Sequence, residues 1–405
     1  MTPNRTPSNA SSPATPSPSS ARRAPSSSGA AQAEMLARVM AALPRVVDLL
    51  AARAEEQDRE ADFPYQGIET LHAAGLLTVT VAQRHGGPAA GLAQTVGLLA
   101  ALGSGDPSVA LLAAETLLVH AAEDRSPRWP SGAYQALLAE SKRGPALAGT
   151  LRSRSGVRAE RTADGWQLTG HEPSVPGAEA LHWMTVDAFV TEADGDATGD
   201  DRGEGAATFL LPGDAPGLIV EPGTEQFGLR ARAVQDVGFE DVMLDEEARL
   251  AAPGRRDEAA RRLAVAAVAV GVASSARAWL RRSIKELPLA ELGRLEVELA
   301  ESEELLTALA RSLDALSLDT RSVDAEDPNG GRNVGTPDAT RRAALLAPRV
   351  AERALGIVRH CVDLSGTQGL TRGWPLERQL RDAVSLRALL PREDVLLAEA
   401  GRSLS

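Results

Sequence analysis

Apolar positions along this chain change their spacing twice, and the changes divide it. From Ala33 to about Gly144 they recur at helical intervals. Leu36, Val39, Met40 and Leu43 fall on one face, followed by Val46, Val47, Leu49 and Leu50. Phe63-Pro64 opens a second helix, with Ile68 and Leu71 facing inward and Gly75 as its C-cap. LLTVTVAQRHGG reads as a short extended piece running into a turn at Gly86-Gly87. Two helices split by Gly103–Pro107 follow, and the second carries His120.

Between Pro145 and about Leu250 the spacing shortens to alternation. GWQLTG, LHWMTVDAFV, ATFLLP, GLIVEP and VQDVGFEDVML read as strands, with a hairpin turn at Asp164-Gly165-Trp166. Several short strands in so short a stretch predict a small barrel or sandwich. The acidic, Gly-rich run Glu192–Gly205 reads as a solvated hairpin loop.

From about Arg255 the helical spacing returns. Leu263 to Ala273 is an apolar run of 11 residues. A membrane span needs about 20, so the run predicts a buried bundle helix. Leu295, Leu299, Ser302, Leu306, Leu309, Leu313 and Leu316 alternate four and three apart, the seam of a long antiparallel helix. After a polar loop at 319–338, Leu346, Val350, Ala354, Ile357, Cys361 and Leu364 give a third stripe. These shifts set the expected divisions: a disordered Ser/Pro/Ala-rich tail at 1–33, helices at 34–144, a β-domain at 145–250 and a C-terminal bundle at 251–405.

Composition narrows the chemistry. Of 405 residues 43% are apolar but only 3% aromatic, so the core must be Ala, Leu and Val. A formal charge of −12 without a basic run argues against nucleic-acid binding. One cysteine, Cys361, rules out an internal disulfide and Cys metal clusters, and its apolar setting reads as packing. The tail lacks an apolar h-region, so no secretory signal is expected, and a reduced, cytoplasmic setting fits.

The most specific stretch is GTQGLTRGWPLERQLRDA, Gly366 to Ala383. Gly366 and Gly369 let backbone approach a ligand, and Pro375 suits a helix start. Glu377 falls in the first turn, where a carboxylate meets the positive helix end; Arg378, Arg381 and Asp382 follow. This resembles the glycine loop and Pro-x-Glu-Arg-x-x-Arg-Asp helix of the acyl-CoA dehydrogenase family of flavoproteins. The order of N-terminal helices resembles it too, as do Thr162–Gly170, Ser174–Gly177, Phe227–Ala231 and Phe239–Val242. The resemblance spans about 34 to 405. It implies a mainly α chain with an N-terminal helical domain, a central β-barrel or sandwich and a C-terminal four-helix bundle, with FAD between the last two and shared across a homodimer or homotetramer interface.

The resemblance also names site positions. Ser174 falls where the family flanks the flavin ring. Gly366, Gln368 and Gly369 fall at its adenine-side contacts, with Asp363 in place of the family's Gln. Arg281 stands where the family's Arg-x-x-Phe-Gly meets pyrophosphate, although here the Phe-Gly is gone. The family's usual α-proton base would fall at Leu390 and its alternative near Arg261; neither is a carboxylate. Glu393 is the nearest acid and the candidate base, with a helix-capping role as its other reading. The implied activity is oxidation of a CH–CH bond in an acyl-CoA or similar thioester, with electron-transfer flavoprotein as partner. The Pro391 to Gly401 tail resembles instead the flavin monooxygenase branch, which needs no such base and takes reduced flavin from a reductase; its frequent His would fall at Leu389. A diverged, non-catalytic ligand-binding member is the third reading.

Overall fold

The computed structural model describes residues 27–151, 156–191, 205–319 and 338–402. Residues 1–26, most of the acidic run after Thr191 and the polar loop at 320–337, each assigned an irregular role from sequence, lie outside them.

Six helices come first: α1 (Ser27–Ala41), α2 (Leu43–Glu60), α3 (Tyr65–Ala73), α4 (Leu92–Gly105), α5 (Pro107–Arg125) and α6 (Ser131–Glu140). Helix begins at Ser27, inside the stretch expected to be tail. The single stripe from Leu36 to Leu50 is two helices, because Pro44 lies in the first turn of α2 and cannot continue α1. The expected extended piece after Gly75 is instead two 3₁₀ turns, Leu76–Thr78 and Gln83–His85. Leu76, Leu77, Val79 and Val81 are all buried there, which alternation does not require but compact turns permit. The Thr80 hydroxyl donates to the Leu117 carbonyl and fixes those turns to α5.

The five strands read from sequence are present as β3 (Gly165–Pro176), β4 (Leu181–Thr191), β5 (Ala206–Pro212), β6 (Leu218–Pro222) and β7 (Val234–Asp245). Three more were not read from the sequence: β1 (Leu147–Leu151), β2 (Val157–Arg161) and the two-residue β8 (Arg249–Leu250). All join one mixed eight-stranded sheet in the order β6-β7-β3-β2-β4-β5-β8, with β1 parallel to β4. The β3–β7 ladder slips between Glu172 and Val175, a bulge that re-aims Pro173 and Ser174.

The C-terminal helices are α7 (Arg255–Ser283), α8 (Leu289–Asp319), α9 (Asp338–Ser365), α10 (Pro375–Ala388) and α11 (Glu393–Arg402). The first four pack together as the expected bundle. Helix α7 carries a window long and apolar enough to span a membrane, but 78% of that window is buried inside the protein. It packs against α4 as well as α9; a Cβ on Gly271 would meet the Ala100 carbonyl oxygen at 2.1 Å, so that crossing requires glycine. The α8 seam is buried from Leu295 through Leu313, and Cys361 is buried on α9 with its thiol pushed up to about 12 by burial. One continuous apolar core, dominated by Ala, Leu and Val, runs through both helical regions and the inner sheet face.

Candidate active site

The Pro375–Asp382 motif proves to be a junction of three segments. Arg381 grips Asp58 at the end of α2 with two hydrogen bonds of 2.6 and 3.0 Å. Two more, of 2.8 and 3.0 Å, go to Glu377 one turn earlier, and another of 3.0 Å reaches the Phe227 carbonyl. Burial disfavours the Arg381 charge, but Asp58 and Glu377 more than offset it and its pKa is raised. Asp382 accepts from the Leu229 N–H at 2.7 Å. Burial pushes Asp382 up to about 6, against the opposing effect of Arg378 at 3.6 Å. Gly228 lets the two chains meet, since a Cβ there would lie 2.4 Å from the Arg381 carbonyl. Gln379 then ties α10 to Ser275 on α7.

Apart from this junction, between the sheet and the helices, lies a cavity of about 300 Å³. Helix α5 starts with Pro107, capped by Asp106, which accepts from the Ser108 and Val109 N–H groups. It presents Leu111, Leu112 and Glu115 on one face. Strand β1 supplies the opposite wall and is held to α5 by the Ala148 N–H donating to the Thr116 hydroxyl at 3.0 Å. The β3 bulge supplies Glu172 to Pro176, and α7 supplies Arg261 and Val265 one turn apart. Arg232, from a 3₁₀ turn at Arg230–Arg232, and Leu389 close it. Its walls are mostly apolar, with four charged side chains.

Those four differ in their partners. Arg261 is held by Glu258 through two bonds of 3.0 Å. Burial works against its charge and Glu258 more than restores it, so its pKa is raised. Glu172 is buried at 3% exposure. Glu115 is partly buried and lies within electrostatic reach of both arginines. Arg232 makes no ion pair among the described residues, and its Nε is buried without a hydrogen-bond partner. Burial pulls its pKa down to about 10, with Glu115 opposing, so it remains a cation at neutral pH.

Of the positions marked in sequence, Ser174 lines the cavity, in a left-handed conformation (φ +62°), its N–H donated to Asp236 at 2.9 Å. Arg261 and Leu389 line it as well. The others do not. Glu393 is exposed at the start of α11, where it pairs with Arg349. Leu390 is buried in the core. Arg281 is exposed and reaches Glu296 at 3.5 Å. Gly366 and Gln368 are exposed in a 3₁₀ turn at Gly366–Leu370; Gly369 is buried, and its missing Cβ makes room for Ser365 and Leu376. Asp363 is exposed. His120 is fully buried away from the cavity, with Nδ1 3.1 Å from the Tyr134 hydroxyl, and burial lowers its pKa to about 4. Sequence reasoning missed Glu115, Glu172 and Arg232. A signal existed for two of them: Glu115 interrupts the apolar run LLAAETLL, and Arg232 follows directly on the recognised Phe227–Ala231.

Helices before a sheet, a bundle after it and a charged cavity between them define an acyl-CoA dehydrogenase-type fold. The family model "Acyl-CoA dehydrogenase, N-terminal domain" matches residues 31–123 and "Acyl-CoA dehydrogenase, C-terminal domain" matches 263–388. The chain belongs to the acyl-CoA dehydrogenase family. Among curated relatives, the putative acyl-CoA dehydrogenase YdbM of Bacillus subtilis (strain 168) is 24% identical over 370 residues, 85% of this chain and 90% of that protein. L-evernosamine nitrososynthase of Micromonospora sp. is 27% identical over 367 residues, 83% of this chain and 84% of it. Among solved structures, KijD3 in complex with FMN and a dTDP-linked 3-amino-4-keto sugar superposes with a TM-score of 0.74 at 23% identity, covering 93% of this chain and 94% of that one.

Proposed function

We propose that this chain is a flavin-dependent monooxygenase that takes reduced flavin from a partner reductase, in the cytoplasm, and oxygenates a small organic substrate in the cavity beside Ser174. The observation that carries the reading is the identity of two residues. Where family dehydrogenases keep the base for an acyl-CoA α-proton, this chain has Leu390, buried in the core, and Arg261, a cation held by Glu258. An oxygenation needs no such base. A relative named for nitrososynthase rather than dehydrogenase activity and a neighbour that binds FMN support a flavin reaction other than acyl-CoA oxidation.

The residues present suit a flavin. Leu111, Leu112, Leu181 and Val265 give apolar walls for a planar ring, and the Ser174 and Thr150 side chains provide hydrogen-bonding edges. Bound there, flavin would supply the two-electron redox centre. Leu389 would help to exclude bulk water, and Arg261 would set the local potential. Arg281, Gly366, Gln368 and Gly369 lie away from this chain's cavity. In a homodimer or homotetramer they would serve the distal part of a neighbouring subunit's flavin, which FAD has and FMN largely lacks.

A second reading, oxidation of an acyl-CoA CH–CH bond with electrons passed to electron-transfer flavoprotein, is favoured by Glu115, a carboxylate that does face the cavity. The two readings separate in one experiment. The chain is loaded with FAD or FMN and mixed anaerobically with acyl-CoAs, then separately supplied with reductase, NADH and oxygen. The first reading predicts no bleaching by acyl-CoA and oxygenated product only with reductase. Bleaching by an acyl-CoA that is lost in Glu115→Gln contradicts it and selects the second.

A further inference from the structure

A buried guanidinium normally answers a carboxylate, because an unpaired charge away from water is costly. Arg381 obeys this rule on every side. Arg232, which is half-buried, does not: it makes no ion pair among the described residues, its enclosed Nε has no partner, and it faces a cavity whose walls are otherwise mostly apolar. The other cationic wall residue, Arg261, is already neutralised by Glu258 at 3.0 Å. Glu115 acts on Arg232 only through space. Among the described residues Arg232 is therefore the wall cation without an ion-pair partner, and its planar fork matches an oxyanion.

We infer that Arg232 is the substrate-recognising residue of this cavity, and that the substrate is a small molecule with an apolar body and one terminal oxyanion of the carboxylate or sulfinate type. Leu151 and Val175, which the flavin ring is not assigned, offer the body an apolar surface, and the 3₁₀ turn at Arg230–Arg232 holds the cation at one side. The inference deepens the oxygenase reading. It depends on that reading for what happens to the bound anion, but not for the binding itself.

The test is calorimetric, on the full chain without flavin. Sodium hexanoate is titrated against its uncharged counterpart hexanamide, and both against Arg232→Gln and Arg232→Lys. Hexanoate should bind and hexanamide should bind at least roughly tenfold more weakly. Arg232→Gln should weaken hexanoate roughly 10- to 100-fold while leaving hexanamide unchanged, and Arg232→Lys should retain part of the preference. Equal binding of hexanoate and hexanamide by the wild-type chain overturns the inference and needs no variant. So does unchanged hexanoate binding in Arg232→Gln. Parallel titrations with FMN and riboflavin identify the other source of an oxyanion. If Arg232→Gln weakens FMN but neither riboflavin nor hexanoate, the residue serves the flavin phosphate and the substrate assignment fails. Absence of flavin binding in every variant sinks the oxygenase reading while the hexanoate result still stands on its own.

Discussion

Two clusters of charge sit beside the same core and follow opposite rules. At the Arg381 junction all three nitrogens of one guanidinium have protein acceptors, and three segments far apart in sequence converge on it. In the cavity, Arg232 is half-buried, its Nε is enclosed without a partner, and it makes no ion pair among the described residues. The protein itself satisfies the first guanidinium; the second is left able to meet a ligand. The motif most recognisable in sequence is therefore the one that holds the regions together, and the positions that decide the chemistry lie where the chain departs from the family pattern.

That contrast can be broken by substitution, and the largest effect belongs to the junction. Arg381→Ala leaves Asp58 and Glu377, both mostly buried, facing each other without their cation. Urea unfolding should show a loss of about 3 kcal/mol or more; a loss near zero would mean that the junction is ornamental. A comparable effect is expected from pH at the buried histidine of α5. The folded value of His120, about 4, lies below the ordinary 6.5, so the unfolded chain binds the extra proton. Stability present above about pH 6.5 is lost as pH falls toward 4, by up to about 3 kcal/mol. Asp382 works in the other sense, because its raised value favours the folded state at low pH. The two are separated by comparing melting temperatures of wild type and His120→Asn at pH 7.5 and 5: the gap between them should narrow at the lower pH.

Smaller is the cost of Asp382→Ala, which strands the buried Leu229 N–H and should remove about 1–3 kcal/mol in the same unfolding assay. Smallest is Arg232→Leu. Removing a cation that no described residue pairs should leave stability within about 1 kcal/mol of wild type, or raise it, although the same change is expected to abolish anion binding. A large loss there would place Arg232 in the architecture with Arg381.

The sequence carried most of the architecture because its signals were periodic. The α8 seam, the five strands read from alternation and the Pro375 helix start all followed from spacing or from proline's fixed φ. What it hid depended on contacts between distant residues. The 3₁₀ turns after Gly75 exist because Leu76, Leu77 and Val79 all find the core, a fact that local alternation cannot report. Strands β1 and β2 are short and pair in parallel with β4, so no hairpin turn announces that pairing. The site was less legible. Ser174 was found because it sits inside a recognisable segment, but Glu393 was chosen for its nearness in sequence to Leu390 and the fold turns it to the surface. Glu115, Glu172 and Arg232 come from α5, β3 and a 3₁₀ turn, and only the packing of these distant segments around one cavity brings them together.

The central claim is that this cavity holds a flavin. The most direct measurement is a titration of the purified wild-type chain with FMN and with FAD, followed by absorption and by quenching of flavin fluorescence. The account predicts saturable binding of one flavin per chain with at least one of the two. No saturable binding of either would contradict it and leave the cavity as a site for a small anion alone.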